Sequence, residues 1–231
     1  MEEKELDFNF KKGGEVYTIL LISNGDEDST ISSLKNLIVS NSFRAEAAKI
    51  IVSISKRNND LINSLEEIFN RMKDTYNFKI IFSEKEESKF DQIDRALSLV
   101  KTPFVFYFEN GWHFVSKDYI KNSIVVVGTQ PKILQVSITD GALLNNNVST
   151  DLQDVVFGLQ IRKIIPTVIK DNDKEYVYNG FSFNPHILDM KRYEEIGRFS
   201  RFNSIYEIDD WYKKHGYLIY TFDKPSATII E

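Results

Sequence analysis

Apolar runs and polar breaks alternate regularly through the first half of the chain. Val16-Tyr17-Thr18-Ile19-Leu20-Leu21-Ile22 is an almost unbroken run of β-forming residues, the pattern of a strand covered on both faces of a parallel sheet. It ends at the turn Ser23-Asn24-Gly25-Asp26. A helix is predicted from about Glu27 to Ser40, with Ile31, Leu34 and Leu37-Ile38 on one face. The unit then recurs. Ile50 to Ile54 reads as a strand, and Asn58-Asn59-Asp60 caps a helix carrying Leu61, Leu65, Ile68, Phe69 and Met72 at spacings of three and four. Phe78 to Phe82 is a third strand. The polar stretch Ser83 to Lys89 leads to a helix with Ile93, Ala96-Leu97 and Val100, and Pro103 precedes the most apolar strand, Phe104 to Phe108. Such alternation predicts right-handed βαβ crossovers and a mainly parallel sheet.

Beyond Trp112 the pattern loosens. Ser116 to Val127 is predicted as a helix capped by Ser116, although Val125-Val126-Val127 raises the chance of strand at its end, and Ile133 to Ile138 is predicted as a strand. Asp140 to Phe157, with Asn145-Asn146-Asn147, has little periodicity and is predicted as a mobile loop. A strand around Tyr176 to Phe183, a helix starting near Asp189, a helix from Ser204 to His215 and a closing strand from Tyr217 to Phe222 complete the prediction. The residues before Gly13-Gly14 read as an extended lead-in. With no repeat, low-complexity tract or linker, residues 1–231 are predicted to form one α/β domain.

Composition narrows the function classes. A chain of 231 residues with 42% hydrophobic and 27% charged residues is globular. The absence of cysteine removes disulfides, thiolate metal sites and a thiol nucleophile, and fits a reducing, cytoplasmic setting. A net charge of −5 with scattered basic residues argues against nucleic acid as a partner. No stretch reaches the ~18 apolar residues of a membrane span, and Met1 to Glu5 is too acidic for a signal peptide. No P-loop, GxGxxG or GxSxG occurs.

In open parallel sheets, ligands sit beyond the carboxyl ends of the strands. Here those ends are Ser23-Asn24, Ser55-Lys56, Ser83-Glu84 and Glu109-Asn110. The last is the most informative, because five apolar residues run directly into Glu109-Asn110-Gly111-Trp112-His113. A carboxylate and an amide at the mouth of a buried strand can meet a polar ligand or a hard cation. The same Asn-Gly pair also makes an ordinary strand-ending turn.

Residues Phe90 to Phe114, reading FDQIDRALSLVKTPFVFYFENGWHF, resemble the central segment of family 2-type glycosyltransferases, where a helix, a strand and a carboxylate cluster (Glu-Asp-Asp-Trp in one branch) follow one another. The opening Tyr17 to Asn24 is similar to that family's first strand and uracil-contacting turn. Gly180 to Pro185, Tyr193 to Gly197, Ile196-Gly197-Arg198-Phe199 and Tyr206 to Trp211 with Gly216 are similar to its acceptor half. The resemblance implies a GT-A fold, a Rossmann-like three-layer α/β architecture with a mixed, mainly parallel central sheet. Its nucleotide half would lie at about 15–114 and its acceptor half at about 115–223.

It also implies an activity, an inverting transfer of a hexosyl or N-acetylhexosaminyl group from a nucleotide-diphosphate sugar, UDP foremost, to a hydroxyl of a glycan, protein or lipid. The nucleotide would meet Ser23, Asn24, Asp91, Arg95, Glu109, Asn110 and Gly111, with the Arg95 fork suited to phosphate oxygens. Capping and turn chemistry account for Ser23, Asn24 and Asp91 equally well, and a solvated helix face for Arg95. Mn²⁺ or Mg²⁺ would be held by Glu109, helped by His113. The chain departs from the family at this motif, with Asn110 and Gly111 where two acids are expected. Three readings stay open: a weakened metal site, a metal-free transferase, or a domain that binds without catalysing. For the general base, Glu207 is favoured, with Asp209 and Asp210 beside it; acids in a first helical turn also serve the helix dipole alone.

Overall fold

The computed structural model describes residues 16–40, 47–74, 76–139, 150–171 and 174–229. The predicted lead-in and Asn145 to Asn147 lie outside them. The βαβ half forms as expected: β1 (Tyr17–Ser23), α1 (Glu27–Ser40), β2 (Ala47–Ile54), α2 (Asn59–Met72), β3 (Phe78–Phe82), α3 (Lys89–Leu97) and β4 (Phe104–Glu109). The four strands are parallel, and β11 (His186–Asp189) joins β4 antiparallel, giving the order β11-β4-β1-β2-β3.

The two faces of this sheet make two cores. On one, Ile19 and Leu21 of β1 pack with Leu34 and Leu37 of α1, Leu61 and Leu65 of α2, and Ile120, Ile124 and Val127 of α4 (Tyr119–Thr129). On the other, Leu20, Ile22, Ile51 and Val105 meet Ile93 and Leu97 of α3. They also meet Tyr193 and Ile196 of α5 (Met190–Ile196), and Ile208 and Tyr212 of α6 (Ile205–Lys214). Strand side chains point alternately to the two faces, so a helix layer on each side is what continuous apolar strands require. Each fully buried aliphatic side chain contributes about 1.5–3 kcal/mol.

The second half contains strands that the pattern did not predict, and it departs from the predicted elements themselves at three points. Helix α4 starts at Tyr119, behind Asp118 at φ 62°, rather than at Ser116, and Val125-Val126-Val127 is helical. Burial of Val126 and Val127 in the core outweighs the strand preference of β-branched residues. The predicted loop Asp140 to Phe157 contains a strand, β7 (Thr150–Val156). It forms a hairpin with β8 (Leu159–Ile164) across Phe157 and Gly158, both at positive φ. The predicted strand Tyr176 to Phe183 ends at Tyr178; β10 (Lys174–Tyr178) pairs with β9 (Thr167–Asp171), and Gly180, at φ 103°, turns the chain away.

A four-stranded sheet, β6-β12-β8-β7, uses β6 (Ile133–Ser137) and β12 (Leu218–Phe222) as a parallel pair. A short ribbon pairs β5 (Trp112–Phe114) with β13 (Ala227–Ile229).

Candidate functional site

The strand order reverses between β1 and β4. The chain leaves β1 towards β2 on one side, and α3 returns it to β4 on the other. In open α/β sheets ligands sit at such a point, here the carboxyl ends of β1 and β4. Asn24 and Asn110 lie there and bind each other. The Asn24 backbone N–H donates to Asn110 Oδ1 at 3.1 Å, and Asn110 Nδ2 donates to Asn24 Oδ1 at 3.2 Å and to Ser29 Oγ at 3.0 Å. Gly111, at φ 95°, offers its N–H to Ser33 Oγ at 2.9 Å. Ser23, fully buried, bonds Thr30 through its hydroxyl at 2.7 Å, and Asn58 reaches Gly25 O at 3.0 Å. The β1–α1 turn is thereby held by α1, α2 and β4 together.

Glu109 projects beside this amide pair, about a quarter exposed. Its Oε1 accepts the Tyr107 hydroxyl at 2.9 Å and lies 2.6 Å from Lys89 Nζ. Lys89, in the first turn of α3, also sits over the Phe183 ring, 5.4 Å from its centroid. Burial, and then the Glu109 charge, push the Tyr107 phenol well above its ordinary value, so it stays a donor. Tyr107 packs on His186, 5.3 Å between centroids.

His186 is buried and its Nδ1–H donates to Asn184 O at 2.7 Å. Desolvation holds it down to about 4. Because the unfolded chain binds a proton near pH 6.5 and the folded one does not until about 4, stability is full above pH 6.5 and falls as the pH drops through that window. The expected loss between pH 7 and pH 4 is about 3 kcal/mol from this group. Urea titrations of wild type and His186→Gln at both pH values check it; an equally steep pH dependence in the variant contradicts the assignment.

Helix α3 carries four further polar side chains with separate tasks. Asp91 accepts the Ser88 hydroxyl at 2.7 Å in a first-turn cap, exposed to solvent. Gln92, buried, donates to Ser23 O and Ser53 O at 3.0 and 2.8 Å, tying the ends of β1 and β2. Asp94 accepts from Tyr193 Oη (2.7 Å) and the N–H groups of Phe199 and Ser200 (3.0 and 2.9 Å), fixing the turn after Gly197. Arg95 places its fork on Glu87, at 2.5 and 3.2 Å, and reaches Ile54 O at 3.3 Å. Its guanidinium lies at the β2 end but is engaged. Sequence reasoning missed Lys89, Gln92 and Glu87; their partners lie 20, 69 and 8 residues away, and no local pattern marks the first two.

The donor set for a divalent cation can be tested directly. Phe114 N donates to Asn36 Oδ1 at 2.5 Å, which turns Asn36 Nδ2 towards His113 Nε2 at 3.1 Å. His113 Nε2 is therefore an acceptor already in use. Glu109 Oε1 holds Lys89 and Tyr107, Asn110 donates both Nδ2 hydrogens and accepts the Asn24 N–H on Oδ1, and Gly111 has no side chain. Among the described residues no group of three or more His, Cys, Asp or Glu is placed to hold a metal ion. Mg²⁺ at a nucleotide is held by one or two carboxylates together with phosphate oxygens and water. The one carboxylate at this strand end, Glu109, is taken by Lys89 and Tyr107, so the residues as arranged do not fit one.

The acceptor-half acids separate. Glu207 is exposed in the first turn of α6, its Oε2 accepting the Asn203 N–H at 2.8 Å. Its own N–H donates to Ser204 Oγ at 3.3 Å. Asp210 pairs with Lys214 one turn on, at 2.5 Å, half exposed. Asp209 is buried and accepts three bonds, from Asn179 N (2.8 Å), Asn179 Nδ2 (2.6 Å) and Phe181 N (2.8 Å). Burial raises its carboxyl above the ordinary value despite those donors. A cavity of about 330 Å³ beside the first turn of α4 contains none of the predicted site residues.

No family model matches the sequence, and no curated protein matches it. Solved structures do match. The mannosyltransferase PcManGT from Pyrobaculum calidifontis, in complex with GDP-Man and Mn²⁺, is 12% identical with a TM-score of 0.63, covering 90% of this chain and 54% of its own. S. aureus TarS 1-349 is 12% identical with a TM-score of 0.59, covering 92% and 59%. GalNAc-T7 with UDP, GalNAc and Mn²⁺ is 9% identical with a TM-score of 0.65, covering 90% and 42%. The fold is GT-A, and the chain spans about half the length of these structures. No helix among the described residues is long and apolar enough to cross a membrane.

Proposed function

We propose that the chain binds a nucleotide-diphosphate sugar, UDP-linked first, at the carboxyl ends of β1 and β4 and transfers the sugar to a hydroxyl of a glycan, protein or lipid. The observation that carries this reading is the hydrogen-bonded polar cluster of Asn24, Asn110 and Glu109 at the switch point of a GT-A sheet. The base and ribose would lie over Asn24 and the β2 end, with buried Ser23 supporting the turn from beneath, and the diphosphate towards Glu109, Asn110 and Lys89. In the transfer, a carboxylate takes the acceptor proton as the acceptor oxygen bonds the anomeric carbon. The bond from that carbon to the diphosphate oxygen breaks, and the nucleoside diphosphate leaves. Attack from the face opposite the leaving group inverts the anomeric centre.

Glu207 suits the base role best, because it is the most accessible of the three acids and is held only by Asn203. Asp209 instead holds the Asn179–Phe181 segment in place.

A second reading is favoured by a specific observation. Glu207, Asp209 and Asp210 each have an internal partner, as does Glu109, which suits a domain that binds a nucleotide-sugar and does not turn it over.

A thermal-shift screen of UDP- and GDP-sugars, with and without Mn²⁺, followed by product analysis, separates the readings. A ligand present at 100 times its Kd stabilises the fold by about 2.7 kcal/mol. The transferase reading expects a shift, product formation, and loss of product but not of the shift in Glu207→Gln. A shift without product or donor hydrolysis establishes the second reading. No shift with any nucleotide-sugar overturns both.

A further inference from the structure

We infer that Lys89 is a built-in cation for the nucleotide diphosphate, held in reserve by Glu109, so that donor binding needs no divalent metal. The inference rests on the donor-site reading above and names the group that meets the diphosphate there.

Four observations carry it. First, the residues at the end of β4 do not make a metal donor set, yet a diphosphate at this strand end brings negative charge that must be met. Second, the cation nearest that end is already in place. Lys89 Nζ is 2.6 Å from Glu109 Oε1, and its ammonium rests over the Phe183 ring at 5.4 Å. Third, its position is electrostatically unfavourable on local grounds. Lys89 is the first residue of α3, where the helix dipole favours anions and Ser88 and Asp91 already form the cap. A charge kept against its own helix is held there by Glu109 and the ring. Fourth, the two arginines near the strand ends are committed to other carboxylates, Arg95 to Glu87 and Arg57 to Glu84. Lys89 alone is paired to the residue at the motif itself.

An entering diphosphate therefore exchanges for Glu109 as the partner of Lys89. Glu109 then competes with the ligand instead of recruiting it, which reverses the sign expected of a metal-binding carboxylate. Its Tyr107 hydrogen bond keeps it beside the site in both states.

Isothermal titration of UDP and of GDP, in EDTA and in Mn²⁺, tests this with Lys89→Met, Lys89→Arg and Glu109→Gln. Both positions are partly exposed, and a thermal melt checks that each variant folds. The expected results are wild-type affinity equal in EDTA and Mn²⁺, a loss of about tenfold or more in Lys89→Met, and near-wild-type binding in Lys89→Arg. Glu109→Gln should bind several-fold more tightly. Affinity that requires Mn²⁺ and disappears in Glu109→Gln overturns the inference while leaving the donor-site reading intact. Equal binding by Lys89→Met and wild type also overturns it. Failure of wild type to bind either nucleotide in either buffer removes the donor-site reading, and the inference with it.

Discussion

Replacing Arg192 by methionine is expected to cost the fold about 3–5 kcal/mol, the range for removing one partner from a buried charged network. Arg192 is buried, and its guanidinium donates to three carbonyls, those of Ile133, Val127 (2.8 Å) and Gln130 (3.3 Å). Two of these belong to the end of α4, whose last turn contains no basic residue of its own. The helix therefore receives the cation that its C-terminus favours from α5, across the core. Asp189 lies 3.5 Å from Arg192 Nε and also caps α5. Methionine matches the length of the aliphatic stem but takes the guanidinium away from the Ile133 and Val127 carbonyls, each lost partner costing about 1–3 kcal/mol, while Gln130 O keeps the Ile133 N–H. For a chain of this size the melting temperature should fall by roughly 10 °C. Urea unfolding of Arg192→Met measures it; a loss under about 1 kcal/mol would show that water replaces the guanidinium.

Asp209→Ala is expected to lose about 3 kcal/mol, because three donors, two from backbone and one from Asn179, lose a common acceptor. The damage should be local as well. The Asn179–Phe181 segment leaves β10 at a glycine with φ 103°, where a Cβ would meet Ile164 at 2.8 Å. Asp209 is what holds the backbone in that turn. Amide hydrogen exchange should therefore accelerate at Phe181, which is otherwise buried. Exchange at wild-type rates there, with stability unchanged, would contradict this role. The same logic makes Asp209 a poor position for testing proton transfer, since lost activity would follow from a displaced segment.

The parallel half of the fold was legible because its code is local. Buried parallel strands are continuous apolar runs, and the helices between them repeat at three and four; Asn58 caps α2 as its position indicated. The hairpins between residues 150 and 178 were not legible. Their strands mix Asp, Gln, Lys and Arg with isolated apolar residues, as two-sided antiparallel strands do. The turn between β7 and β8 is Phe157-Gly158, and phenylalanine at φ 50° carries none of the turn signal of Asn or Asp. The place of the Glu109 motif in the fold was legible but its wiring was not. The motif at Glu109 does sit at the switch point, whereas its partners Asn24, Ser29 and Ser33 are 86, 81 and 78 residues away. Charge pairing such as Lys89 with Glu109 has no sequence period, so no spacing argument could have found it.

The most direct measurement of the central claim is a crystal structure of the chain with the nucleotide-sugar that gives the largest thermal shift. The account predicts the base and ribose over Asn24 and the β2 end, and the diphosphate between Asn110 and Lys89, with Glu109 displaced from the ammonium. Nucleotide bound elsewhere, in the cavity beside α4 for example, or no ligand at the β1 and β4 ends at saturating concentration, would contradict it.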